Sequence, residues 1–182
     1  MRTVIVNASA HRGGDTDALV RLLSARLSGE TVLVCASETD IAPCSDCRYC
    51  FSRAGCAVSD GAQTLFAEID RADTLVLASP VWFSGLSGEA VNLFSRLQSR
   101  WASRFIRKDA PPARTKTGVL LLAAGNPRET AQAAMLQGAR ILKCAGADEI
   151  HTALCAGTDQ TPPVDNQAFL CELEAVCEKL RR

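Results

Sequence analysis

The sequence lacks a net charge and any long apolar run, and both absences exclude classes of function. Its 20 Lys and Arg residues are balanced by 20 Asp and Glu residues. A chain without a basic excess is poorly suited to bind nucleic acid or an anionic membrane surface. No stretch approaches the roughly 20 consecutive apolar residues that a membrane-spanning helix needs. We therefore expect neither nucleic acid nor a membrane among the partners.

The chain also shows no secretory signal peptide, internal repeat or low-complexity tract. Its N-terminus leads almost directly into a β-branched run at 3–7, where a signal peptide would place a charged segment and a longer apolar one. The length of 182 residues and the hydrophobic content of 47% suit one domain with one core. We expect a single domain over residues 1–182, located in the cytoplasm.

Cysteine, by contrast, is abundant, with nine residues in the chain. In a reducing compartment such thiols bind metal or stay free. Four of them fall within 13 residues, spaced C-x2-C-x2-C-x5-C, inside a loop expected at 43–57. Thiolates this close in sequence can converge on one point, and C-x2-C-x2-C is the spacing with which small ferredoxins hold three corners of an iron–sulfur cluster. The predicted metal ligands are Cys44, Cys47, Cys50 and Cys56.

Three states of this cysteine loop stay open from the sequence. They are, in order of preference, an iron–sulfur cluster, free or redox-active thiols, and a zinc ion. Zinc ranks last because structural zinc sites usually bring two knuckles together from separate places. The other five cysteines are expected to be small buried hydrophobic residues, namely Cys35, Cys144, Cys155, Cys171 and Cys177.

Short apolar runs alternate with amphipathic helical patterns along the chain. The run at 74–78 is apolar throughout, which is typical of a central parallel strand buried on both faces. Repeated strand–helix units predict a parallel sheet with helices on both faces. The predicted strands are 3–7, 31–36, 74–78, 118–123 and 148–154, and the predicted helices are 15–28, about 61–71, 88–101, 129–144 and 164–180.

Three loops rich in small and polar residues follow the first, third and fourth predicted strands, at 7–16, 79–88 and 123–127. Ligands of open α/β sheets bind at the carboxyl ends of the strands. The first loop precedes a helix, whose free N–H groups and dipole attract anions. Because it matches neither a P-loop nor a G-x-G-x-x-G turn, a single phosphate fits it best. The alternative is a plain turn with Asp15 as the N-cap.

The second of these loops carries two neighbouring aromatic residues, Trp82 and Phe83. They could lie on either side of a planar ring, or they could pack on the next helix. With the third loop beside them, the three loops predict a pocket for a phosphate, a ring and a ring edge.

Together these segments resemble the flavodoxin-like NADPH-dependent FMN reductases and, within them, the iron–sulfur flavoproteins. The resemblance covers nearly the whole chain. It implies a flavodoxin-like three-layer α/β/α sandwich whose five-stranded parallel sheet has the order 2-1-3-4-5. The motifs that carry it are Asn7–His11 with Gly14–Thr16, the cysteine run followed by Asp60-Gly61, and Ser79–Phe83 with Ser87-Gly88 and Ser95-Arg96.

The resemblance also implies which residues bind FMN. The phosphate is expected on Ser9, His11, Asp15, Thr16 and Asp17, the isoalloxazine against Pro80, Val81, Trp82, Phe83 and Gly85, and its pyrimidine edge near Gly125. This chain departs from the family pattern at several positions. His11 and Asp15 replace the usual Arg and Asn, and Val91 and Ser95 replace the usual Lys and Asp. We expect the Asp15 carboxylate to cap the helix, because like charges would keep it away from the phosphate.

The function implied is that of an FMN-dependent oxidoreductase with NAD(P)H as electron donor and a possible [4Fe-4S] cluster; no catalytic side chain is assigned. An electron carrier between a ferredoxin-like donor and another enzyme, and a thiol-based redox sensor, are the alternatives. Relatives commonly pair, so a homodimer or tetramer is expected.

A basic segment is expected to be a solvated surface, or else a site for the NADPH 2′-phosphate or a subunit contact. It comprises Arg96, Arg100, Arg104, Arg107, Lys108, Arg114 and Lys116.

Overall fold

The computed structural model describes residues 1–109 and 115–181. Arg114 of the basic segment lies outside these residues. The strands are β1 (Arg2–Asn7), β2 (Glu30–Cys35), β3 (Thr74–Trp82), β4 (Gly85–Leu86), β5 (Lys116–Ala124) and β6 (Ala147–Ala156). Five of them form a parallel sheet in the order β2-β1-β3-β5-β6, and β4 pairs antiparallel with the end of β3. The predicted order of the parallel strands is confirmed, and β4 is an additional strand.

The helices cover both faces of the sheet. They are α1 (Asp15–Ser24), α2 (Tyr49–Ser52), α3 (Ala62–Arg71), α4 (Gly88–Ser95), α5 (Gln98–Ala102), α6 (Gln132–Cys144) and α7 (Gln167–Leu180). The predicted helix at 88–101 is divided in two. Its N–H groups at Arg96 and Leu97 bond to carbonyls three residues back instead of four, at 3.4 and 3.0 Å, which tightens the turn and ends α4.

Alternation along the strands builds a hydrophobic core on each face of the sheet. Val4 and Val6 of β1 pack with α3, α4 and α6, while Ile5 between them packs with α1 and α7. Alternate residues of β3 and β5 likewise pack into the cores on opposite faces of the sheet. The central strands are therefore buried on both faces. Two helical layers therefore enclose the sheet, as the resemblance implied.

The cysteines outside the cysteine loop differ in burial. Cys155 and Cys177 are buried, and Cys35 and Cys144 are partly buried. The expectation is wrong for Cys171, which is exposed because α7 packs through Phe169, Leu173 and Val176 on its opposite face. Within the described parts of the chain, none of the helices has the length and apolar character needed to cross a bilayer.

Candidate functional site

The loop between β1 and α1 presents a group of unpaired backbone donors. The N–H groups of residues 14–17 have no acceptor among the described residues, as expected for the first turn of a helix. The N-cap is Gly14, and no side chain caps the helix. The expectation for Asp15 is therefore wrong, because its carboxylate lies one position inside the helix and leaves the first-turn donors open.

Side chains of the same loop fix its shape. The Asp17 carboxylate accepts hydrogen bonds of 2.5 Å from the Gly13 N–H and the Asn7 Nδ2. Ser9 Oγ accepts from the His11 N–H at 3.2 Å and donates to the His11 carbonyl at 3.1 Å. Thr16 is 3% exposed beneath the loop. These contacts leave the N–H groups of the first helical turn open to a ligand.

The end of β3 and the short β4 form a hairpin with an aromatic tip. Phe83 and Ser84 occupy the turn with φ values of +50° and +64°, the left-handed region that a two-residue hairpin turn requires. Trp82 is 48% exposed, and Phe83 is fully exposed. The rings are thus open to solvent, and the alternative that they pack on the next helix is not what the structure shows. α6 supports the hairpin through a 2.9 Å bond from the Ala134 N–H to the Ser84 carbonyl.

Buried hydroxyl groups connect this hairpin to the first loop. Ser87 Oγ donates to the Ala8 carbonyl at 2.6 Å. The same oxygen accepts from the Ala90 N–H at 3.2 Å and so caps α4. The Ser87 N–H donates to Ser79 Oγ at 3.1 Å. The loops after β1 and β3 are therefore held together by side chains that have no exposure to solvent.

The loop after β5 approaches a carboxylate at the end of β6. A Cβ atom at Gly125 would lie 2.5 Å from Asp159 Oδ2, which is closer than such atoms can come. Backbone bonds join the two loops, from the Thr158 N–H to the Ala124 carbonyl at 3.1 Å and from the Gly157 N–H to the Asn126 carbonyl at 3.2 Å. Gly125 thus permits the close approach of Asp159.

The four predicted metal ligands line one pocket together with Arg96; we call it the cysteine pocket. The volume that a water-sized sphere can occupy in it is about 30 Å³. Cys47 is exposed and the other three thiols are partly buried. Burial raises the pKa of Cys50, and the charges of the three neighbouring cysteines raise it further. The four thiols thus line the same pocket, and their role as metal ligands stays a prediction.

The arrangement of the thiols in the cysteine pocket bears on the choice of metal. In residues 1–109 and 115–181, no three His, Cys, Asp or Glu side chains come close enough to share one metal ion. Zinc needs its ligands about 2.3 Å from a single ion. A cluster binds each cysteine at a different corner, so four thiols spread along one pocket fit a cluster better than a single zinc ion.

The basic segment is only partly a solvated surface. Arg104 and Lys108 are exposed, and Arg100 and Arg107 are partly buried. The expectation is wrong for Arg96 and Lys116, which are 2% and 6% exposed. Arg107 donates to the Cys50 carbonyl, and the Cys44 N–H donates to Ser95 Oγ at 2.8 Å. This part of the chain therefore anchors the cysteine loop.

A sequence profile of the NADPH-dependent FMN reductases matches residues 1–152, most of the chain. The chain belongs to the NADPH-dependent FMN reductase family. An iron–sulfur flavoprotein of Methanocaldococcus jannaschii is 26% identical over 99 residues, which cover 53% of this chain and 51% of the relative. An iron–sulfur flavoprotein of Methanosarcina thermophila is 24% identical over 129 residues, or 69% of this chain and 64% of the relative. The matches span less than two thirds of either relative.

Solved structures show that the fold is flavodoxin-like. The NAD(P)H:quinone oxidoreductase of Methanothermobacter marburgensis superposes with a TM-score of 0.74 at 16% identity, covering 100% of this chain and 98% of that chain. At such low identity the likeness concerns the fold alone.

This member of the FMN reductase family has site residues that sequence reasoning missed. Ser87 directly precedes a helix, which is a local signal for an N-cap. Asp159 gives no such signal, since it is a loop residue that meets Gly125 only in the folded chain. Asp60 and Arg96 belong to two of the quoted motifs, yet nothing in their spacing shows that they form the ion pair seen here at 2.6 Å.

Proposed function

We propose that the chain binds FMN at these three loops and acts as an NAD(P)H-dependent FMN oxidoreductase. The observation that carries the proposal is the junction made by Ser87, which joins the open N–H donors of α1 to the exposed aromatic hairpin. Bound FMN would supply the capacity to accept a hydride and to release electrons singly or in pairs. In the overall reaction NAD(P)H loses a hydride and an acceptor gains its two electrons.

The chain's own residues would divide the binding of FMN among them. The N–H groups at the start of α1, with the Ser9 and Thr16 hydroxyls, suit a phosphate. The Asp17 carboxylate acts indirectly by shaping the loop. The other expected contacts are His11 and Asp15 near the phosphate, Pro80, Val81, Trp82, Phe83 and Gly85 at the ring, and Gly125 at its edge.

Binding and turnover test this proposal separately. FMN titrated into the apoprotein should bind one to one and raise the melting temperature. Riboflavin, which lacks the phosphate, should bind about tenfold or more weakly, because charged hydrogen bonds are lost. Absence of FMN binding contradicts the proposal. FMN binding without oxidation of NADH or NADPH, with ferricyanide as acceptor, would instead favour the electron carrier.

The second part of the proposal is that the cysteine pocket holds a [4Fe-4S] cluster on Cys44, Cys47, Cys50 and Cys56. The presence of all four thiols in the lining of one pocket supports it. A bound cluster would supply one-electron transfer. Anaerobic reconstitution with iron and sulfide should give a broad absorbance at about 400 nm and roughly four irons per chain. Cys56→Ser should lower the iron content, whereas Cys171→Ser, at an exposed thiol outside the pocket, should not.

We also propose that the chain is a single FMN-binding domain that forms a homo-oligomer in the cytoplasm. An apolar groove between α4–α5 and α6, lined by Val91, Trp101, Leu136 and Ile141 with Arg140 beside them, supports a second copy as its occupant. Leu136 and Trp101 also protrude on this face, at 56% and 39% exposure, and a two-fold interface requires groove and protrusion on the same patch. The nine free thiols support a reducing compartment.

A further inference from the structure

Arg96 is a buried cation at the wall of the cysteine pocket. It follows the last residue of α4, and its side chain is 1% exposed. A guanidinium removed from water needs partners of opposite charge or several acceptors. The groups around Arg96 must therefore compensate for the cost of removing its charge from water.

The two terminal nitrogens of Arg96 bind both ends of the cysteine loop. Nη1 donates to the Ala42 carbonyl at 2.9 Å and to Asp60 Oδ2 at 2.6 Å, and Nη2 donates to the Val58 carbonyl at 2.9 Å. Ala42 precedes the first cysteine of the run, and Val58 and Asp60 follow the last. Asp60 Oδ2 also accepts from the Ala42 N–H at 3.0 Å, which fixes the orientation of the pair.

A further donor of Arg96, its Nε–H, is buried. Its Nε has no hydrogen-bond partner among the residues that the structure describes. Arg96 lines the pocket beside the four thiols. Burial lowers the pKa of Arg96, but the hydrogen bonds and charges of Asp60 and Cys56 together raise it by more, which places the guanidinium close to the Cys56 sulfur. A buried donor beside these sulfur atoms is satisfied when one of them accepts its hydrogen bond.

We propose that Arg96 is a positioning residue for the cluster. Its charge and its Nε–H stabilise the sulfur of Cys56 as a cluster ligand, and they favour the reduced state of the cluster. This inference rests on the proposed cluster. Reduction adds one electron and no proton, so the pocket becomes more negative by one charge. A nearby cation and a hydrogen bond to a ligating sulfur stabilise that charge and raise the reduction potential. Asp60 orients the guanidinium and partly offsets its charge.

The role of Arg96 is tested with two variants that should shift the midpoint potential of the cluster in opposite directions. The protein is reconstituted anaerobically with iron and sulfide, its iron is counted, and its potential is measured by titration with dithionite. Arg96→Lys keeps a positive charge, but lysine cannot make the same three contacts and also offer an N–H group at the position of Nε. The reduction potential should therefore become more negative. Asp60→Asn removes the offsetting charge, so the potential should become more positive. Arg100→Gln is the control, since this arginine bonds to Phe66 and Asp70 away from the pocket, and should leave the potential unchanged.

The outcomes separate this inference from the cluster proposal. A wild-type chain without iron overturns both. Full iron content with the same potential in all variants overturns the role of Arg96 alone. Reduced iron content with an unchanged potential for the remaining clusters means that Arg96 only holds the loop, which also overturns it. If Arg96→Lys retains no cluster, Arg96 is needed to hold the loop, and the inference that it sets the potential is overturned.

Discussion

Thr16 lies buried in the first turn of α1, at 3% exposure. Thr16→Val keeps the shape and removes the hydroxyl. We expect FMN to bind about 10- to 100-fold more weakly, since a hydrogen bond to a charged group contributes about 1.5–3 kcal/mol, with little change in the stability of the apoprotein. Fluorescence titration and urea unfolding measure the two quantities. Thr64→Val, at an exposed position of α3, is the control, and equal affinities for FMN would contradict the assignment.

Cys155 is a single residue that should make the free energy of unfolding depend on pH. Burial, with Asp15 and Glu172 nearby, raises its pKa from 9.0 to about 11. The unfolded chain loses the proton first, so this stabilisation is present below pH 9.0 and is lost as pH rises through the folded value. Two pKa units correspond to about 3 kcal/mol.

Urea unfolding of the wild type and of Cys155→Ala from about pH 8 to about pH 10.5 checks this. The free energy of unfolding should fall more steeply with pH in the wild type. Parallel pH profiles would show that Cys155 does not contribute. Native Cys155 should also resist alkylation under conditions where the exposed Cys171 reacts.

At the scale of the element, the β3–β4 hairpin holds two ordinary residues in the left-handed region, Phe83 and Ser84. Each costs roughly 1 kcal/mol or more there, so Ser84→Gly and Phe83→Gly should both raise the free energy of unfolding. Only Phe83→Gly removes an aromatic ring from the proposed flavin site, and only it should weaken FMN binding. Equal FMN affinity in the two variants would mean that Phe83 does not contact the ring. Thermal melts and FMN titration supply the data.

The helices predicted from the sequence differ from those in the structure mainly at their ends. α1 ends at Ser24 rather than 28, and α6 begins at Gln132 because a 3-10 turn at Arg128–Ala131 precedes it. Strong apolar periodicity located the centres of these helices correctly. Their ends depend on single hydrogen bonds and on neighbouring elements, which periodicity does not report.

At the scale of the whole molecule, the apolar groove beside α6 is the surface on which a second copy is proposed to bind. Leu136→Glu places a charge in it and should convert the assembly to monomers. Val164→Glu is a matched control, because Val164 is equally exposed at 56% but precedes α7 on the other side of the sheet. Sedimentation velocity measures the mass. A wild-type monomer, or a Leu136→Glu variant that still pairs, contradicts the proposal.

The sequence by itself determined the order of strands and helices, the positions of the three loops proposed to bind FMN, and the spacing of the four thiols. Each of these is local, because periodicity and motif spacing are properties of neighbouring residues. They were sufficient to predict a parallel sheet covered by helices, and the resemblance of the motifs to the FMN reductases supplied the flavodoxin-like strand order and the family.

Only the tertiary structure decided what happens between distant residues. It buried Arg96, which by its surroundings in sequence resembles a solvated cation, because Asp60 and two carbonyl groups 36 to 54 positions away accept hydrogen bonds from its two terminal nitrogens. It added the β4 hairpin, joined two loops through Ser87, and placed Asp159 against Gly125. Burial of a charge or a close backbone contact depends on partners that only folding brings together, so no local pattern encodes it.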